Sequence, residues 1–276
     1  MNRRWLAYPY VVWMIAFILV PLFMIFYYGV TKDDGGQIVF TAEFIKKTFE
    51  PIYFNAMAKS FLYAGFATLI CLVLAYPLAL ILAGKAGKSS AMLFIFILPM
   101  WMNFLLRTYA WLTLLETNNG VVNTLLRLLH LPSINILGTP NAIILGMVYN
   151  FLPFMVLPIY NTLVKIDPYI LEAAHDLGAD SFQRLIRVVF PLSLPGVMSG
   201  ITMVFMPAVT SFVIPNLLGS GKVNLIGNLI EQQFLMTYNW GFGSAMSLIL
   251  MIIILLAMGL MKRFDKGNLE GGAGRW

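Results

Sequence analysis

Six long apolar stretches constrain this chain more than any other feature: about residues 8–30, 57–83, 91–115, 140–164, 192–214 and 241–261. Each has at least 20 residues, enough at about 1.5 Å per residue to cross a hydrocarbon core about 30 Å thick. Charged residues make up only 11% of the chain, less than half the ~25% usual in a soluble domain. Mean hydropathy is +0.82. The solvent for most of this chain is therefore lipid. The apolar runs are continuous and do not alternate with period two, which argues for helices and against a β-barrel. Little sequence lies between them. The expectation is an all-α polytopic membrane protein of six transmembrane helices, folded as a single domain over 1–276.

The net charge of +6 does not mark a nucleic-acid surface, because the basic residues form no patch and gather at the ends of the apolar runs. Their sides set the topology. With the N-terminus inside, the inner segments hold Arg3, Arg4, Lys85, Lys88, Lys165, Arg184, Arg187, Lys262, Arg263, Lys266 and Arg275. The outer segments and span edges hold Lys32, Lys46, Lys47, Lys59, Arg107, Arg127 and Lys222. The excess inside, sharpest at Arg3-Arg4 and Lys262-Arg263, places both termini in the cytoplasm. The basic start before an apolar run resembles a signal peptide. However, that run exceeds 20 residues and lacks a small-x-small site, so an uncleaved first helix is expected.

Several local signals are bland. Cys71 is the only cysteine and reads as a small packing residue. Gly84-Lys85-Ala86-Gly87-Lys88-Ser89-Ser90 superficially suggests a phosphate-binding loop, but Leu82 stands where its first glycine is required. It reads as a tight inner turn. Asp33-Asp34-Gly35-Gly36 is a turn signal, and Phe44, Ile45, Phe49, Ile52 and Tyr53 then give a rough interfacial helix face. Further turn signals stand at Asn118-Asn119-Gly120 and Leu131-Pro132-Ser133. Prolines inside the third, fourth and fifth runs free backbone carbonyls, which neighbours or a cavity must satisfy. The Gly-rich stretch 271–274 is expected to be disordered.

The inner segment 165–191 is different. At about 27 residues it is far longer than a connection needs, and it is charged and helix-patterned. Asp167-Pro168 is a helix start, an N-cap acid with proline at the first helical position. That helix should end near Leu177, with Gly178 taking the left-handed conformation. Asp180 or Ser181 then caps a second helix ending before Pro191. Ile170, Ala174 and Leu177 share one face of the first helix, and Glu172 and Asp176 another. The residues alone leave two readings open: a solvated amphipathic loop, or a docking surface for a soluble partner.

The spacing Glu172-Ala173-Ala174, three residues, Gly178, nine residues, Val188, one residue, Phe190-Pro191 resembles the EAA loop of ABC importer permeases. Val188 and Phe190 replace the more usual Ile and Leu. Arg107–Trp111, Tyr149–Tyr160, Leu225–Phe234 and Asn239–Ala245 are further similar to the B-type permease subunit of spermidine/putrescine importers. The resemblance implies a type I importer permease fold. It also implies a complex with a second permease subunit, a cytoplasmic ATPase dimer and an extracytoplasmic binding protein. Glu172, Ala173, Ala174, Asp176, Gly178 and Pro191 would carry coupling to the ATPase. ATP and magnesium would be bound by that partner, and this chain would hold no cofactor or metal. Another small solute, such as an iron chelate or an opine, is the alternative cargo, and a non-transporting membrane scaffold the alternative class.

No catalytic constellation is visible. His130 and His175 are the only histidines, and neither stands at metal-ligand spacing from carboxylates. For a cationic cargo, carboxylates and aromatic faces are the useful groups. Candidates for the pathway are Asn103, Trp111, Glu116, Tyr149 and Glu231, with Tyr238 and Trp240 as further rings. Asn103, Arg107 and Trp111 fall at i, i+4 and i+8 on one helical face. Arg107, about 24 Å along a helix starting at Ala91, repels a cation. It is expected to stack on Trp111 or pair with a carboxylate.

Overall fold

The computed structural model describes residues 8–35, 37–84, 94 and 97–270. The expected inner turn at 84–90, the start of the third apolar run, Arg3-Arg4 and the 271–274 stretch lie largely or wholly outside them. The described residues fall into two compact units, one within 1–57 and 226–257, the other within 58–225 and 258–276.

The first unit begins with α1, Tyr8–Val30. One turn of it, Ile15–Leu19, is widened to a π turn closed by the Val20 N–H on the Ile15 carbonyl. Pro21 follows at once. Its ring would press on the Phe17 carbonyl in a regular helix, and it has no N–H to give, so widening the preceding turn relieves both problems. A two-stranded antiparallel hairpin comes next, β1 (Thr31–Asp34) and β2 (Gln37–Phe40), in register Thr31↔Phe40. Its turn follows Asp34 within the expected signal, and Gly35 sits at φ +64°.

The interfacial face expected across residues 44–53 divides into two helices: α2 (Glu43–Thr48) ends before the start of α3 (Pro51–Gly84). Pro51 biases Glu50 away from helical angles, and this breaks the run. The unit closes with α10 (Ile226–Leu235) and the first part of α11 (Trp240–Glu270). Gly29 brings α1 against α11: a β-carbon there would come within 3.2 Å of the Ala245 nitrogen. Small residues at such crossings let helix backbones approach closely. Phe242, Ala245 and Met246 are buried, with Tyr53 edge-on to Phe242 at 4.8 Å.

In the second unit α6 (Pro140–Leu163) is buried on most sides, and α8 (Ser181–Thr210) packs along it. Gly196 and Gly200, four apart, make the approach close. A β-carbon on Gly196 would stand 2.7 Å from the Pro158 carbonyl, and one on Gly200 2.7 Å from the Met155 sulfur. Cys71 is buried on α3 with its Sγ 3.7 Å from the Val148 carbonyl.

Two expected spans are corrected. The fifth, 192–214, starts earlier and stops sooner. The second helix of the charged segment runs straight into it through a π turn at Leu185–Val189, placed before Pro191 as the other is before Pro21. The helix ends at Thr210, and Val213–Leu218 forms a separate α9. Pro215 explains the stop, because in a continuing helix its ring would strike the Ser211 carbonyl.

The third span is interrupted where it is described. A 3-10 turn at Leu98–Trp101 gives way to extended backbone at Met102 and Asn103 before α4 (Phe104–Leu114). Asn103 is the N-cap of α4, its Oδ1 accepting from the Leu105 N–H at 2.8 Å. Asn103, Arg107 and Trp111 therefore do not share one continuous helical face. Among the described residues five helices are long and apolar enough to cross a membrane: Tyr8–Val30, Pro51–Gly84, Pro140–Leu163, Ser181–Thr210 and Trp240–Leu260.

The connection after α4 is more ordered than its turn signals suggested. It carries α5, Val121–Leu128, and one buried side chain ties it together. Asn123 Nδ2 donates to the carbonyls of Glu116, Thr117 and Ile134, and its Oδ1 accepts from the Ile134 N–H at 2.8 Å.

Candidate functional site

The charged segment folds as two capped helices, and each cap is written in adjacent residues. Asp167 Oδ1 accepts from the Tyr169 N–H at 3.0 Å, with Pro168 at the first position of α7 (Pro168–Asp176). The C-terminus is a complete Schellman motif: the Ala179 N–H donates to the Ala174 carbonyl at 3.0 Å and the Gly178 N–H to the His175 carbonyl at 2.9 Å. Gly178 sits at φ +82°. Asp180 caps α8 through a capping box, its Oδ1 accepting from the Gln183 N–H at 2.7 Å.

What these caps present is an open surface. Glu172, Ala173, His175, Asp176, Gly178 and Pro191 are exposed, and Ala174 is half-buried. Large apolar side chains stand beside them: Leu177 is 89% exposed, Tyr169 74% and Phe182 70%. These three residues around the α7–α8 corner are not packing this chain. The sequence reading placed Leu177 on an apolar face but did not single out Tyr169 or Phe182. Their aromatic character within a charged segment was the available signal.

The same segment is latched to the helix bundle of its unit. Phe190 stacks edge-on against Tyr76 of α3 at 5.6 Å, and the Tyr76 hydroxyl lies 2.9 Å from Ser193 Oγ. α8 is continuous from Ser181 to Thr210, so the α7–α8 corner and a helix long and apolar enough to cross a membrane are one element.

The pathway candidates are scattered. Trp111 and Tyr149 meet, their rings 5.2 Å apart and nearly perpendicular. Asn103 is spent as a helix cap. Glu116 is exposed in the turn after α4, where its carbonyl accepts from the Gly120 N–H at 3.0 Å. Glu231 is half-buried on α10, in the other unit. Arg107 is buried, with its guanidinium over the Phe104 ring at 6.0 Å and not over Trp111. Its Nε has no hydrogen-bond partner among the described residues, and neither does Asn150 Oδ1 on α6. Among the described residues no three His, Cys, Asp or Glu side chains are grouped to hold a metal.

Comparison with known proteins turns this architecture into a family assignment. Residues 1–269 match the family described as the binding-protein-dependent transport system inner membrane component. The chain belongs to that family. The permease is 39% identical over 261 residues to the spermidine/putrescine transport system permease protein PotB of Haemophilus influenzae, covering 92% of this chain and 91% of that one. It is 41% identical over 255 residues to the PotB of Escherichia coli K12, covering 90% and 91%. A third relative is the inner membrane ABC transporter permease protein YdcU of Escherichia coli K12, at 32% identity over 84% of this chain and 80% of that one. Among solved structures, a chain of a bacterial ABC transporter that imports the acidic polysaccharide alginate superposes with a TM-score of 0.76. That likeness covers 95% of this permease and 96% of that chain at 18% identity, and it speaks for the fold.

Proposed function

We propose that this permease forms half of the membrane path of an ATP-driven importer of polyamines. Its exposed α7 surface would dock on a cytoplasmic ATPase. The cargo follows from the two relatives at about 40% identity whose names carry spermidine and putrescine. The coupling role rests on one observation: a double-capped helix pair that displays Glu172, Tyr169 and Leu177 to solvent and continues without a break into a transmembrane helix.

In this reading both termini and the 165–191 segment face the cytoplasm. The ATPase dimer binds ATP and magnesium and does the hydrolysis, so this chain acts as a transport subunit. A second permease chain completes the path, and an extracytoplasmic binding protein delivers the cargo. ATPase closure moves the α7–α8 corner, and α8 carries the motion inward along α6. The Tyr76–Phe190 latch makes α3 follow.

The test is uptake of radiolabelled spermidine and putrescine by cells expressing the complete transporter, with ATPase co-purification as a control. ATP-dependent uptake of either amine is expected. An assembled complex that takes up neither would overturn the cargo and leave the permease assignment standing.

A further inference from the structure

Where α1 ends and α11 begins, the first unit has an open recess of about 660 Å³. Five of its twelve lining residues are aromatic, Tyr27, Tyr28, Phe44, Tyr238 and Trp240, and Asp33 adds a carboxylate. The size lies within the range of small-molecule sites, roughly 300–1,000 Å³.

The walls are built in ways that packing alone does not require. Tyr238 holds φ +51°, a left-handed conformation that a β-carbon disfavours and that glycine would adopt without strain. The turn enforces it from both sides. The Thr237 N–H donates to the Gln232 carbonyl at 3.0 Å and the Asn239 N–H to the Gln233 carbonyl at 2.9 Å, while Asn239 Oδ1 accepts from the Phe242 N–H at 3.1 Å. Yet the Tyr238 side chain is 72% exposed and contributes little to the unit's interior. A strained, exposed aromatic residue at a cavity is a functional signature. Trp240 beside it is oriented by Phe234, edge-on at 5.9 Å, and by Tyr28 at 6.2 Å. Phe44 lies directly on Gly241, where a β-carbon would come 2.9 Å from its Cζ.

The aromatic lining suits a cation. The lining's lysine, Lys32, has its ammonium 2.9 Å from Glu43, so its charge is compensated next door. Phenol and indole faces attract an alkylammonium group, and a carboxylate in the lining adds to that attraction. The volume accommodates an ammonium with several methylenes behind it.

We propose that this recess is an alkylammonium subsite that holds one end of the cargo on the outer side of the permease before translocation. The proposal rests on the polyamine reading above. The same headgroup chemistry occurs in phosphatidylethanolamine, so the test separates a soluble amine from a lipid.

The complete transporter, this permease with its partner permease and ATPase, is reconstituted in phosphatidylcholine nanodiscs. Binding of radiolabelled spermidine is measured without the binding protein. Tyr238→Ala with Trp240→Ala should weaken binding by about tenfold or more, since two cation–π contacts are lost. Tyr238→Gly is the decisive variant. It relieves the backbone while removing the ring, so weaker binding there cannot be blamed on misfolding. Trp240→Phe should retain most of the affinity, and uncharged 1,8-octanediol should not compete.

Spermidine binding unchanged by Tyr238→Gly and by the double variant would overturn the subsite. So would displacement of spermidine when phosphatidylethanolamine is added to the discs, because the recess would then serve a lipid headgroup. Uptake by the same wild-type complex reports the cargo separately. Uptake with unaltered binding sinks only the subsite, whereas binding that depends on Tyr238 without any uptake sinks only the polyamine cargo.

Discussion

At Gly178 the φ of +82° lets the chain leave α7 and enter α8 within three residues, and nothing lies within 4 Å of where a β-carbon would be. The demand there is purely one of backbone angle. Gly178→Ala should therefore cost only the left-handed penalty, about 1–2 kcal/mol, and leave partial ATPase association. Gly178→Pro fixes φ near −65° and deletes the N–H that reaches the His175 carbonyl, so the Schellman motif cannot form. ATPase co-purification should fall slightly for alanine and vanish for proline. Glu172→Lys, which reverses an exposed charge on the same helix, should also abolish it. Wild-type yields of the ATPase with proline at 178 and lysine at 172 would remove this segment from the coupling role. Arg107 shows the same scale from the other side. Its spacing to Trp111 was correct for a helix, but the ring it met was Phe104, because Trp111 is engaged by Tyr149. Spacing names the neighbours a side chain can reach, and packing chooses among them.

Helices and their caps were legible in the sequence wherever the signal lies in adjacent residues. The apolar runs mark α1, α3, α6, α8 and α11, and Asp167-Pro168, Gly178 and Asp180 mark the helix ends at the α7–α8 corner. What stayed hidden depends on partners far along the chain. The Tyr76–Ser193 contact joins residues 117 apart and the Cys71–Val148 contact residues 77 apart. Neither can be read from a local window. The break before Asn103 was missed because an apolar run looks the same whether or not its backbone is continuous. The Gly196–Gly200 pair was also passed over, since glycine spacing carries meaning only once the facing helix is known. That pair yields a graded prediction. A methyl on Gly196 meets the Pro158 carbonyl, which is backbone and cannot yield, whereas one on Gly200 first meets the movable Met155 thioether. Gly196→Ala should destabilise the α6–α8 pair by about 1–3 kcal/mol and Gly200→Ala by less. Thermal unfolding of the purified complex in nanodiscs measures the difference, and equal midpoints would show that the helices separate more easily than the close approach implies.

For the whole molecule, the distribution of Lys and Arg fixes which reporters should light on which side. Fusions after Lys88, Arg187 and Lys266 should report cytoplasm, and those after Lys47, His130 and Lys222 the outside; one reversed neighbouring pair would mean a miscounted span, with the interrupted third span the first suspect. That sidedness decides what the remaining carboxylates can do. Glu116 and Glu231 both fall in segments assigned to the outside, Glu116 exposed and Glu231 half-buried. Guidance of a polycation by carboxylates in water is screened over about 8 Å at physiological salt, so each residue acts only locally and each single change should be modest. Glu116→Gln combined with Glu231→Gln should weaken uptake of spermidine more than of putrescine, because spermidine carries the larger positive charge. The loss should shrink as salt is raised, with ATPase co-purification unchanged. The aromatic contribution behaves differently. It is short-ranged where Trp111 meets Tyr149 edge to face, so Trp111→Ala should reduce uptake by a similar factor at low and high ionic strength. Radiolabelled uptake at two salt concentrations separates the two contributions. Full uptake by the double glutamine variant at low salt would take these carboxylates out of the pathway, and a strongly salt-dependent effect of Trp111→Ala would mean that the ring acts through a neighbouring charge instead of through its face.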